Sequence, residues 1–351
     1  MNFVTRYWYQ SERKSPFYLR ILSQVYSAVS AKRRQAFLRK TKPAYRAPVT
    51  VVVVGNITAG GTGKTPLVIY LAQFLKQQGR QPGIISRGYG GKASHYPLEV
   101  EATSKADIVG DEPLIISRQT QCPMFVGPDR QADIKTLLVK YPQTDIILCD
   151  DGLQHYALDR DIEIVVIDSK RLFGNEKLLP AGPLREPLLR LNEVDVQVCN
   201  GIVPSALEAQ YSGSVFSMAL RPAYVYNLKD RSMTKSLAEF AGQKMHAIAG
   251  IGNPQRFFDV LIENGLDIIA HEFSDHHQYK KSDLMFEPDL PVIMTEKDAV
   301  KCQQYKMTDC WVSTVDTQLG EGFDKMFLEL LKKKELQPGS DTDSDIGSEK
   351  N

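Results

Sequence analysis

Residues 58–65 of this 351-residue chain read Thr-Ala-Gly-Gly-Thr-Gly-Lys-Thr, a combination suited to holding phosphate. Glycines let successive backbone N–H groups converge on phosphate oxygens, and a helix N-terminus adds its partial positive charge. Lys64 can then reach the β/γ-phosphates, and the Thr65 hydroxyl is placed for magnesium. The candidate phosphate-binding set is Thr58, Ala59, Gly60, Gly61, Thr62, Gly63, Lys64 and Thr65. The strict pattern asks for glycine where Thr58 stands, so a glycine-rich turn in a nucleotide-free fold is the alternative. No dinucleotide-type G-x-G-x-x-G can be drawn through the loop.

Other side chains could supply acid, base or metal chemistry. Asp111-Glu112-Pro113 places two carboxylates ahead of an apolar helical pattern, where Asp most often serves as an N-cap. Asp150-Asp151-Gly152 follows a buried apolar run at 146–149. Acids at a strand's carboxyl end, downstream of a phosphate loop, are where such folds hold magnesium; capping a turn is the alternative. Gln154 and His155 come next. Arg87-Gly88-Tyr89-Gly90-Gly91 is a second glycine loop. Residues 178–187 are proline-rich, an ordered-loop candidate with Arg185 and Glu186. Ser274-Asp275-His276-His277 follows a strand pattern, and a histidine there reads by itself as a surface or turn residue.

These side chains need a frame. Four consecutive valines at 51–54 read as a strand buried on both faces. Leu67, Tyr70, Leu71, Phe74 and Leu75 then recur at helical spacing, with Pro66 in the first turn and Gly79 closing the helix. Further strands are predicted at 81–86, 146–149 and 162–167. Strands alternating with helices give an α/β fold, a doubly wound and mainly parallel sheet whose ligands gather at the strands' carboxyl ends. Two strands, 215–220 and 223–228, are expected around Arg221-Pro222, and the domain boundary is set there. Beyond it, strands at 245–249, 267–273 and 291–295 and a helix at 255–264 predict a second, smaller α/β domain without a phosphate loop of its own.

Charge is unevenly spread. Residues 1–48 hold eleven Lys/Arg and one acid, Glu12, whereas the remainder holds 32 basic and 41 acidic residues. Phe17, Ile21, Val25 and Val29 recur every four residues, beside Tyr18, Leu22 and Tyr26. Phe3, Val4, Tyr7, Trp8 and Tyr9 precede this stripe, and Lys32, Arg33, Arg34, Arg39, Lys40 and Lys42 follow it. An N-terminal amphipathic helix with aromatic and cationic flanks suits an anionic membrane surface. A helix packed on the protein's own core is the alternative, and nucleic-acid binding is not expected, since no recognised motif accompanies the charge. No run of eighteen apolar residues or signal peptide is seen. Five cysteines without a C-x-x-C pair fit a reducing compartment rather than a disulfide frame or zinc site.

Read together, GNITAGGTGKTP, RGYGG, VGDEP, DDGLQH, LPAGPLREP, AGIGNPQRFF, DHHQY and TEKDAVK resemble, in order, the tetraacyldisaccharide 4'-kinase family, the lipid A 4'-kinases of Gram-negative bacteria. The resemblance runs from about residue 15 to 330. It departs locally at Asn175-Glu176-Lys177, where a stretch richer in glycine and arginine is expected. It implies a P-loop kinase that uses ATP and Mg2+ to phosphorylate the 4'-hydroxyl of a membrane-embedded tetraacylated disaccharide 1-phosphate. It also implies a peripheral enzyme on the cytoplasmic face of the inner membrane. The division implied is an arm (1–35), a kinase domain (36–213), a two-stranded linker (214–230), a smaller domain (231–335) and an acidic tail (336–351). Carried over residue by residue, Asp111 and His276 correspond to the base and its partner, with Lys64 at the phosphates. Thr65, Glu112, Asp150 and Asp151 fall on the magnesium side, and Arg87, Tyr89, Arg130, Gln154, His155 and Arg185 contact substrate. An ATPase switch of the deviant-Walker type is disfavoured by Ala59, where such proteins carry lysine. A membrane-tethered interaction protein with a structural nucleotide site is a third reading.

Overall fold

The computed structural model describes residues 6–9, 15–205, 207, 213–305, 307 and 309–336. Phe3 and Val4 of the arm, and the tail beyond residue 336, lie outside the described residues.

The four valines form β1 (Thr50–Gly55), and both faces of it are buried. Val52 and Val54 meet Leu67, Leu71 and Leu75 of the helix Lys64–Gln77. Val51 and Val53 belong to the cluster on the opposite side, which includes Ile134 and Leu137 of the helix Arg130–Lys140. Strand side chains alternate between faces, so a strand covered on both sides is apolar throughout. Around it lie β2 (Pro82–Ser86), β3 (Leu98–Glu99), β4 (Met124–Val126), β5 (Ile146–Asp150), β6 (Ile162–Asp168) and β7 (Val196–Asn200), in the order β7-β6-β1-β5-β2-β4-β3. All these pairs are parallel except β3 with β4. The chain fills one side of β1 before crossing to the other, so the switch point falls beside the phosphate loop.

The second half comprises β8 (Ser214–Asn227), β9 (Thr234–Lys235), β10 (Lys244–Ala249), β11 (Asp267–Glu272), β12 (Val292–Thr295) and β13 (Cys310–Leu319). These continue the same sheet in the order β11-β10-β12-β13-β8, with β9 paired to β8. Here the structure corrects the sequence reading. Residues 214–227 form one strand that runs through Arg221-Pro222, and its long antiparallel partner, besides the two-residue β9, is β13, nearly a hundred residues away. Pro222 lacks an N–H, but a shift in register between Ser313 and Val315 relaxes the ladder beside it.

The register of β8 creates the cleft. Its beginning pairs in parallel with β7, whose last residue, Asn200, lies at Met218. Its far end pairs with β13, with Ser313 at Val225, and Thr295 of β12 lies beside Ser313. The parallel strands of the two halves therefore run in opposite directions along one long strand. Their carboxyl ends, where α/β sheets bind ligands, point toward each other over 218–225.

Two helices tie the ends of the chain to the first half. Phe323–Leu336 was not anticipated from the sequence. It places Phe323, Phe327 and Leu331 in the same cluster as Leu67 and Phe74. The arm helix Phe17–Leu38 lies along the proline-rich loop: Ser23 Oγ donates to Leu178 O (2.8 Å) and Tyr26 Oη to Arg185 O (3.0 Å). Leu19 is its one buried residue. Phe17, Tyr18, Ile21, Leu22, Val25 and Val29, on another face, are exposed. None of the described helices is long and apolar enough to cross a membrane.

Candidate active site

Gly63 precedes the helix Lys64–Gln77 with φ +102°, and a Cβ there would stand 2.6 Å from Asn200 Nδ2; neither the conformation nor the space admits a side chain. The loop is braced from several directions. Ala59 N–H donates to Pro183 O and Arg185 N–H to Ile57 O, both at 2.7 Å. Asn200 Nδ2 donates to Thr62 O (3.0 Å), Arg256 Nη1 donates to Asn200 Oδ1 (2.8 Å), and the Arg171 guanidinium donates to Gly61 O. Lys64 is buried, its Nζ 3.5 Å from Asp151 Oδ1, and Arg185 Nη1 lies 3.0 Å from both oxygens of that carboxylate. Burial opposes ionisation of Asp151, but Lys64 and Arg185 outweigh it and hold the carboxyl below its usual range. Lys64 thus rests on a counter-ion next to the glycine loop.

Asp150, at the end of β5, is buried; Ser86 Oγ donates to its Oδ2 at 2.9 Å, and its Oδ1 has no hydrogen-bond partner among the described residues. Burial, then Glu112 and Asp151, push its pKa up to about 7 against the pull of Lys64. An unpartnered oxygen in a crowd of negative charge fits a hard divalent cation. No three His, Cys, Asp or Glu side chains among the described residues form a ready cage. Magnesium does not need one, because it takes one or two carboxylates and completes its shell with water and substrate phosphates.

Asp111 is not the helix cap expected from sequence. Gly110, at φ +96°, takes that position, and Asp111 is the first residue of the helix Asp111–Thr120. Its Oδ1 accepts the Glu112 N–H (2.9 Å), and its Oδ2 lies 3.0 Å from Nδ1 of His276, 165 residues away in the other half. The hydrogen bond to Asp111 raises the pKa of His276 against its burial. Burial acts to raise that of Asp111, but His276 and Lys297 prevail and lower it. His276 has φ +59°, and the ring of Tyr89 meets it edge-on with centroids 5.1 Å apart.

The remaining expected residues divide by position. Arg185 and Tyr89 border these groups. Gln154 Nε2 donates to Asn56 O (3.0 Å) and Glu186 Oε2 (2.9 Å), bracing the loop. Arg130 is buried and donates to Gly127 O (2.9 Å) and Asp150 O (3.3 Å), so it holds the end of β5 from behind. The pKa of His155 is pushed down to about 4 by burial and by Arg130, Arg160 and Arg33. Arg87 is exposed at the end of β2. Sequence reasoning did not single out Asn200, Arg256, Arg171 or Lys297. The available signal for Asn200 was a polar residue ending a buried strand.

Between the halves lies a cavity of about 730 Å³, lined by Gly61–Pro66 of the first half, by Leu220, Tyr224 and Thr314 of the long paired strands, and by Asn253, Arg256 and Lys297 of the second half. Glu112 and Lys297 line this cavity, whereas Asp111 and His276 do not. A glycine loop at a helix N-terminus together with a carboxylate suited to act as a base is a combination that P-loop kinases use. Residues 16–332 match the family described as Tetraacyldisaccharide-1-P 4'-kinase. A tetraacyldisaccharide 4'-kinase of Pseudomonas putida is 45% identical over 320 residues, 90% of this chain and 94% of that one. One from Nitrosococcus oceani is 45% identical over 95% of each chain. The crystal structure of Aquifex aeolicus LpxK in complex with ATP superimposes with a TM-score of 0.73 at 27% identity, covering 88% of this chain and 97% of that one. The chain belongs to the tetraacyldisaccharide 4'-kinase family.

Proposed function

We propose that this protein transfers the γ-phosphate of ATP to the 4'-hydroxyl of a tetraacylated disaccharide 1-phosphate, giving the bisphosphorylated lipid of lipid A biosynthesis. The single observation that carries the mechanism is the 3.0 Å contact between Asp111 Oδ2 and His276 Nδ1, made between the halves. The 4'-oxygen bonds to the γ-phosphorus, the bond to the β,γ-bridging oxygen breaks, and ADP leaves with that oxygen. The hydroxyl proton passes to Asp111, and His276 orients the carboxylate and shares the proton. Lys64 leaves Asp151 for the phosphates, and the loop N–H groups hold the remaining oxygens. Thr65, Asp150 and Glu112 would hold a magnesium ion, which would supply positive charge to offset the negative charge of the phosphates. Asp151 lies on the same side and keeps Lys64 in reach.

The arm helix is read as the attachment to an anionic bilayer on the cytoplasmic face of the inner membrane. Its exposed stripe of Phe17, Ile21, Val25 and Val29 supports this, together with the exposed Lys32 and Arg33 that follow. A lipid with four acyl chains does not leave the bilayer at useful rates, because each buried CH₂ contributes about 0.8 kcal/mol to partitioning; the enzyme must meet it there. The functional division is an arm (1–35), a kinase half (36–213), a connector (214–230) and a smaller half (231–335), whose closing helix Phe323–Leu336 reaches back to pack on the kinase half. Labelled ATP and a tetraacyl disaccharide phosphate in detergent micelles test the reading. Label is expected on the lipid, one per ADP formed. Hydrolysis without a labelled lipid would favour an ATPase switch.

A further inference from the structure

Lys297 is assigned no role above, yet it occupies a singular position. Its Nζ lies 2.7 Å from Glu112 Oε1 and 3.1 Å from Asp275 Oδ1, with the side chain 16% exposed. Glu112 directly follows Asp111, and Asp275 directly precedes His276. One ammonium therefore grips the immediate neighbours of both members of the pair, one from each half. The lysine stands on a fixed platform. It lies in the first turn of the helix Glu296–Cys302, where buried Asp298 accepts from Thr295 Oγ1 (2.7 Å), Tyr279 Oη (2.8 Å) and Gly250 N–H (3.1 Å). Three segments that meet at the cleft are thus tied to the base of Lys297. His276 itself sits on a backbone with φ +59°, a conformation that persists where its surroundings hold it.

We propose that Lys297 is a positioning residue for the Asp111–His276 pair, a clasp across the cleft that sets how carboxylate and imidazole meet. The proposal rests on reading that pair as the proton acceptor. Neutralising two carboxylates at once is the task of a compact cation with several donors, which suits lysine.

The test is a double-mutant cycle on the full chain with micellar lipid and labelled ATP, both saturating. Lys297→Met is expected to lower kcat by about 10²-fold while the KM for ATP stays within about twofold, the pattern of a lost transition-state arrangement rather than lost binding. Lys297→Arg, which can still bridge two carboxylates, should recover about tenfold of that loss. In a His276→Ala background the pair no longer exists, so Lys297→Met should cost less than about threefold. A residue that only stabilises the fold would instead lower the melting temperature and cost the same in both backgrounds. Should the Met variant not fold, Lys297→Gln supplies the same comparison. Unchanged kcat, or an undiminished loss in the His276→Ala background, overturns the clasp. Absence of transfer by the wild-type protein would instead refute the kinase reading.

Discussion

Replacing both Ile21 and Val25 with Asp should release the protein from membranes and leave its fold standing. Ile21 is 46% exposed and Val25 57% exposed, so about half of each side chain is free to enter lipid. Fully burying such a side chain contributes about 1.5–3 kcal/mol, so the two lose about 2 kcal/mol of transfer free energy between them. Two carboxylates beside anionic head groups oppose binding by about 2 kcal/mol more. The sum, about 4 kcal/mol, is roughly a thousandfold in the partition constant. The cost to the fold is under about 1 kcal/mol, since exposed substitutions lose little beyond helix propensity. Co-sedimentation with anionic liposomes, beside a melting curve of the same variant, reads both quantities. Raised salt should weaken the cationic share of wild-type binding and leave the apolar share. Full membrane retention by the folded double variant would refute the interfacial helix. Unchanged binding with a lowered melting temperature would mean that the stripe packs on protein.

Lys64→Ala should nearly abolish transfer while the protein stays folded; near-normal turnover at saturating ATP would remove the loop from the mechanism. Asp111→Ala and His276→Ala should each cut kcat by about 10²–10⁴-fold, and the double variant should be little worse than the poorer single one. Multiplying effects would mean that the two residues work apart. His155 binds a proton less readily in the folded chain, its pKa standing at about 4 against an ordinary 6.5. The unfolded chain therefore takes up this proton first as pH falls, and the fold loses stability from about 6.5 down toward 4. His155→Gln should flatten part of that decline in melting temperature, and identical slopes would contradict the shift.

Local chemistry was legible in the sequence. The valines of β1, the glycine loop, Lys64 and the helix after it form a contiguous signal, because strand, loop and helix are neighbours along the chain. Asp150 was readable for the same reason, as the end of an apolar run. His276 was not readable from spacing alone. Its partner is 165 residues away, and only the opposed directions of the two half-sheets along β8 bring them together. Arg221-Pro222 looked like a break because proline interrupts a ladder, but the register shift at Ser313 and Val315 lets the strand continue. Asp111 looked like a cap from its place before an apolar run, and Gly110 filled that role. Phe323, Phe327 and Leu331 had the four-residue spacing of a buried stripe, obscured by a lysine- and glutamate-rich background.

That last helix bears on how the protein is made. Phe323, Phe327 and Leu331 complete the apolar layer over Leu67 and Phe74, residues that leave the ribosome some 250 positions earlier. While the second half is being synthesised, the helix of the phosphate loop stands with one side open, and its closing piece does not yet exist. The first half, whose strands are nearly consecutive, can therefore bury this face of its core only after the last helix is made. A stalled or truncated product ending near residue 320 would carry a finished glycine loop over an unfinished core. Such a chain presents apolar surface to chaperones and proteases, so quality control can remove it before a half-built site accumulates.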